Sequence, residues 1–114
     1  MASHPTDVNS AAVDHARSLI AKGVVSTATP WTPPTAELGD ELIERDGIEA
    51  YGQWFLGVHP GTNPETKGYY GFPISNDFAT ISVAGLRAAE ERAAEWGHTA
   101  VEQVAKELRS EAER

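Results

Sequence analysis

Residues 82–109 read SVAGLRAAEERAAEWGHTAVEQVAKELR. Apolar side chains recur in this stretch at helical spacing, with a single break at Gly97-His98. Leu86, Ala89, Ala93 and Trp96 share one face of a first helix, which Ser82 caps and Gly97 ends. Val101, Val104, Ala105 and Leu108 form the stripe of a second helix, with Thr99-x-x-Glu102 as its capping box. So short a break calls for an antiparallel helical hairpin. Ala88, Ala89, Ala93 and Ala94 let the two helices approach closely.

Working back towards the N-terminus, the pattern predicts two more helices. Asn9 or Ser10 caps one that runs to about Lys22 and stops at Gly23, with Val13, Ala16, Leu19 and Ile20 on one face. Asp14 and His15 sit towards its other side. Thr35 caps the next, which passes through Leu38, Leu42 and Ile43 and ends near Asp46-Gly47. Between them, residues 24–35 hold Pro30, Pro33, Pro34 and four threonines, and read as an extended connector with Trp31 anchoring it to the body. Residues 48–56, IEAYGQWFL, fit helix and strand periods in part, and helix to about Trp54 is the expectation. Residues 57–79 are punctuated by Gly57, Pro60, Gly61, Pro64, Gly68, Gly71 and Pro73, too densely for a long element. A single helical turn is expected there, opening at Asn63-Pro64-Glu65 and closed by Gly68. The expected fold class is therefore mainly α, a small helical domain with a C-terminal antiparallel hairpin and an aromatic, Gly/Pro-rich irregular segment. Its organisation reads as a loose tail over 1–9, an N-terminal helix over 10–23, the connector over 24–35 and a helical core domain over 36–112. The long connector also predicts that the first helix swaps onto a neighbouring copy.

Composition narrows the function classes. The 114 residues suit one domain, and 40% hydrophobic with 23% charged residues is a globular balance. The lack of cysteine excludes disulfides, Cys-ligated zinc, iron–sulfur clusters and thiol catalysis. Nine basic residues face seventeen acidic ones, a formal charge of −8, which disfavours nucleic acid and anionic membrane surfaces as partners. No apolar run is long enough to span a membrane, and Met1–Asn9 lacks the pattern of a secretory signal, so a cytoplasmic location is expected.

Seven of the nine aromatics lie within residues 51–78: Tyr51, Trp54, Phe55, Tyr69, Tyr70, Phe72 and Phe78. They either prop up the glycine-broken segment as a small core or present a binding surface. As a surface, its residues are Tyr51, Trp54, Phe55, His59, Lys67, Tyr69, Tyr70 and Phe72. His59 is the best single candidate for a general base, with Tyr69 or Tyr70 as hydrogen-bond donor. His4, His15 and His98 are scattered, and no histidine spacing marks a metal helix. Glu37, Asp40, Glu41 and Glu44 recur every three to four residues and form an acidic face that suits a basic partner or a weak cation site. Glu90, Glu91 and Glu95 read as a solvated face paired with Arg87 and Arg92. Glu65-Thr66-Lys67-Gly68 is no phosphate loop, no serine sits in a nucleophile elbow, and no cofactor fingerprint occurs, so neither cofactor nor metal is expected. The leading expectation is a non-enzymatic module that binds a protein, or a second copy of itself, through the aromatic segment or the acidic helix. The alternatives are a small enzyme or small-molecule binder with a pocket under the aromatic loop, and an acidic mimic of nucleic acid.

Four motifs carry a resemblance: Tyr51-x-x-Trp54-x-Leu56-Gly57, Glu65-Thr66-Lys67-Gly68-x-Tyr70-x-Phe72-Pro73, Asp77-Phe78, and Gly85-Leu86-x-Ala88-Ala89-Glu90-x-Arg92-Ala93-Ala94. Over residues 37–110, and more loosely over 10–25, the chain resembles a group of small bacterial proteins without an assigned activity, with similar stretches in phage-related reading frames. The resemblance implies a bacterial or phage setting and a recurrent domain, and no chemistry. The chain departs from the group in a connector richer in proline and threonine, and in the loop at 73–78, which is one residue longer.

Overall fold

In the computed structural model, which describes residues 6–114, the chain runs β1 (Asp7–Val8), α1 (Ser10–Ala21), β2 (Val25–Ser26), α2 (Ala36–Asp46), α3 (Ile48–Gly52), β3 (Phe55–Val58), β4 (Tyr70–Pro73), β5 (Ile81–Ser82), α4 (Val83–Glu95) and α5 (Thr99–Ala112). β3 is the middle strand of an antiparallel sheet in the order β1-β3-β4, with Val8 opposite Gly57 and Gly57 opposite Gly71. β2 and β5 make a parallel pair, Val25 opposite Ile81. With five helices and two small sheets among the described residues, at 53% helix and 13% strand, the fold is mixed α/β and the expectation of a mainly α domain is corrected.

The error has a physical source. The strands are two to four residues long, too short for a period of two to show. β3 is buried along almost its whole length, so Phe55-Leu56-Gly57 reads as a continuous apolar run. The helix expected to reach Trp54 stops at Gly52, and a Cβ at Gly52 would collide with the Tyr70 ring of β4. The turn expected from Asn63 does open there, with Thr66 N donating to Asn63 O at 3.1 Å, but Gly68 does not close it. Asn63 Oδ1 accepts from Glu65 N at 2.9 Å, and a short 3-10 turn follows at Lys67–Tyr69.

The longer helices match their sequence signals better. Thr35 Oγ1 accepts from Leu38 N at 3.2 Å and Ser82 Oγ from Gly85 N at 2.9 Å, so both expected caps form. α1 and α4 each end in a Schellman turn, with Gly23 and Gly97 at φ 75° and with Val24 N on Leu19 O and His98 N on Ala93 O. That second turn leaves His98, not Thr99, in the N-cap position of α5, and the expected capping box does not form. Asn9 occupies the N-cap position of α1, but its side chain makes no capping hydrogen bond. Its Nδ2 instead donates to Gly52 O and Phe55 O, at 2.9 and 3.0 Å, and ties α1 to the α3–β3 corner.

Of the expected tail, Asp7–Val8 pair with β3, and the part before Thr6, His4 included, lies outside the described residues. α1 buries Ala12, Val13 and Ala16 in the same core as Leu56, Leu86 and Leu108 of its own chain. The side of α1 expected to face away contributes as well, because His15 packs edge-on against Trp54, centroids 4.6 Å apart. The connector is held at Val25–Ser26 by β5 and, as expected, by Trp31, whose ring lies on Gly85 of α4. α4 and α5 form the antiparallel hairpin and bury Ala93, Val101 and Ala105 completely between or beneath them. Among the described residues, no helix is long and apolar enough to cross a membrane.

Candidate functional site

The rings of the middle segment divide into two sets. Tyr51, Trp54 and Phe55 are buried, and they stack with Phe78 at centroid distances of 4.6 Å (Tyr51–Phe55), 5.7 Å (Tyr51–Phe78) and 6.3 Å (Trp54–Phe78). They prop the structure and are not open to a partner. The loop that delivers Phe78 is built on two polar side chains. Buried Ser75 Oγ accepts from Phe78 N at 2.9 Å, and Asp77 Oδ1 accepts from Ala79 N and Thr80 N at 2.9 and 3.0 Å. Burial raises the Asp77 carboxyl, but hydrogen bonds from Thr80, Ala79 and Ser75 outweigh it and hold the group below its ordinary 3.8. The loop turns Phe78 inward at φ 54°, a left-handed conformation that is unusual for so bulky a residue.

Phe72 belongs to the second set. It too is left-handed, φ 66°, in the middle of β4. Its ring lies over Gly57, where a Cβ would stand 2.8 Å from Cδ2. Backbone strain of this kind costs roughly 1–3 kcal/mol and clusters at binding sites. Here it places Phe72 beside Trp31 from the connector and Trp96 from the end of α4, in a cleft of about 630 Å³. Ala88 and Ala89 of α4 and the prolines Pro33 and Pro73 supply further apolar lining. Trp96, expected on the buried face of the hairpin, is 63% exposed. The Schellman turn explains this, because Trp96 is the last residue before the chain reverses and falls beyond the reach of α5.

The polar part of the lining is small. His59 and His98 both meet the Thr6 hydroxyl, His59 through Nδ1 at 3.2 Å and His98 through Nε2 at 3.5 Å. A Cβ at Gly71 would lie 2.9 Å from His59 Nε2, so that glycine makes room for the imidazole. His98 also stands edge-on to Phe72 at 5.9 Å. No carboxylate hydrogen-bonds to either imidazole among the described residues, so the group that would orient a general base is not in place. Arg92 completes the charged lining.

The remaining expected site residues lie elsewhere. Tyr69 and Tyr70 line a separate recess of about 500 Å³, whose walls include Asn9, Ser10, Glu49 and Glu65. Burial raises the Tyr70 hydroxyl above its ordinary 10.0, with Tyr69, Glu49 and Glu65 adding to the effect, so it stays protonated and can donate. Lys67 Nζ donates to Ala36 O at 3.2 Å, pairs with Asp40 and lies 5.9 Å from the Tyr51 ring centroid. It fastens α2 to the 3-10 turn and does not reach the cleft. Glu37, Asp40, Glu41 and Glu44 are all exposed on α2. Glu90 does not pair along its own helix as expected. It accepts from Arg109 Nη2 at 2.8 Å and Nε at 3.0 Å across the hairpin. Neither Arg87 nor Arg92 lies within ion-pair distance of a carboxylate among the described residues. No group of three or more His, Asp or Glu side chains among the described residues is placed to hold a metal ion.

Of the residues expected to bind, His59 and Phe72 line this cleft, and Trp96, His98 and Arg92 line it without having been among them. Trp31 reads in the sequence only as an anchor on the body. The signal in the sequence is local density of rings, whereas the cleft is assembled from five distant segments. Comparison with family models, curated proteins and solved structures finds no match to this chain.

Proposed function

We propose that the protein is a binding module that takes a small apolar molecule into the cleft between Trp31, Phe72 and Trp96. The observation that carries this reading is the exposure of Trp96, at 63%, on the wall of an apolar cleft of about 630 Å³. Sites for small molecules are concave, largely apolar and roughly 300–1,000 Å³ in volume. Covering the exposed part of one indole supplies roughly 2–4 kcal/mol before the costs of association. The cysteine-free composition supports a cytoplasmic setting for that binding.

The test uses N-phenyl-1-naphthylamine, a neutral fluorophore that brightens on leaving water. Saturable binding to one site is expected, weakened at least about tenfold in Trp96→Ala. Binding that is absent, or equally strong in the variant, overturns the reading.

A second reading keeps the protein-interaction module but moves it to this face, because an exposed tryptophan is the residue type that dominates protein contacts. Light scattering separates the two. A concentration-dependent mass above the monomer, lost in Trp96→Ala, supports self-association through the cleft.

A further inference from the structure

We propose that the ligand of this cleft is an amphipathic anion: a flat apolar body between the rings, with one carboxylate, sulfonate or phosphate group held by Arg92. The inference rests on the reading of the cleft as a ligand site and adds the chemical class. It comes from a mismatch between the site and the rest of the protein. Seventeen acidic residues stand against nine basic ones in the chain, yet no Asp or Glu lines the cleft. Its ionisable lining is Arg92, His59 and His98. Every one of these can donate a hydrogen bond to an anion.

Arg92 is also free to act. Arg17, Arg45 and Arg109 each meet a carboxylate, and Arg92 has none within ion-pair distance among the described residues. Its neighbour on α4, Glu91, lines a different recess together with Arg87. A guanidinium beside an apolar wall is weakly hydrated and forms paired hydrogen bonds with a planar or tetrahedral oxyanion. The net charge of −8 repels an anion at long range. Salt screens that repulsion beyond about 8 Å, whereas contact with Arg92 is direct.

Two probes with the same apolar body give the test. 1-Anilinonaphthalene-8-sulfonate carries a sulfonate, and N-phenyl-1-naphthylamine does not. The wild-type protein is expected to bind the sulfonate at least about tenfold more tightly, the scale of one charge-assisted hydrogen-bond pair. In Arg92→Gln the two probes are expected to bind with equal affinity, so the preference is erased. Arg87→Gln, on the same helix but outside the cleft, keeps the preference. Both arginines are exposed, and circular dichroism checks that each variant stays folded. Equal affinity of the wild type for the two probes, or a preference that survives Arg92→Gln, overturns the anion inference while the cleft reading stands. Failure of both probes to bind saturably overturns the cleft reading and the inference together.

Discussion

Phe55→Ala is expected to lower the free energy of unfolding by about 3–5 kcal/mol, the range for removing a buried aromatic ring. Trp96→Ala removes a larger ring and is expected to change the same quantity by less than about 0.5 kcal/mol, as for an exposed site. The contrast follows from where the rings sit. Phe55 is 6% exposed, between Tyr51 and Phe78 at centroid distances of 4.6 and 6.3 Å. It stands on the middle strand of the sheet, beside fully buried Leu56, so the neighbours cannot collapse into the space without moving β3. A small domain has only about 5–15 kcal/mol in total, so the loss at Phe55 is a large share of the whole. Urea denaturation of the two variants and the wild type measures both effects on one scale. Similar losses at the two positions would contradict the division into supporting rings and exposed rings.

Gly85→Ala is the second case, and its effect falls on binding. Gly85 is buried within α4, and alanine there should favour the helix by about 1 kcal/mol. The new Cβ would stand 2.5 Å from Trp31 Cζ3 and 2.9 Å from two further ring atoms. Trp31 is carried by an irregular connector and is only half-buried, so it is the partner that yields. The overpacking penalty of about 1–3 kcal/mol then offsets the helical gain, and stability changes little. The cleft, however, loses one of its three aromatic walls. Affinity for N-phenyl-1-naphthylamine should fall at least about tenfold, with the thermal midpoint near that of the wild type. Unchanged affinity would show that Trp31 is not part of the site. A large loss of stability would show that the connector is rigidly fixed on α4.

These two substitutions also mark what can be read from the amino-acid sequence. The helices α1, α2, α4 and α5 are legible because apolar spacing marks all four, with side-chain caps at α2 and α4 and terminal glycines at α1, α2 and α4. Thr35 and Ser82 cap where expected, and Gly23 and Gly97 take the left-handed turn. The sheets are illegible because their strands hold two to four residues, and their partners come from distant segments. Asn9 illustrates the limit. It reads locally as a cap, but its side chain spans to Gly52 and Phe55, a use that only the tertiary fold creates. The site was half legible. A cluster of rings in residues 51–78 is visible as composition, and its division into buried Phe55 and outward Phe72 depends on the positive φ at Phe72. No residue type announces that φ, since glycine or asparagine would be the ordinary choice there. Trp96 looks apolar-facing by helical phase, and only the position of the turn after it decides that it stays exposed.

The three tryptophans provide the most direct measurement. In a nitrogen-15 correlation spectrum each indole N–H gives its own signal, from buried Trp54 and from Trp31 and Trp96 of the cleft. On titration with N-phenyl-1-naphthylamine, the Trp31 and Trp96 signals should move together to saturation while Trp54 stays in place. Movement of the Trp54 signal with theirs, or stillness of all three, would contradict the account.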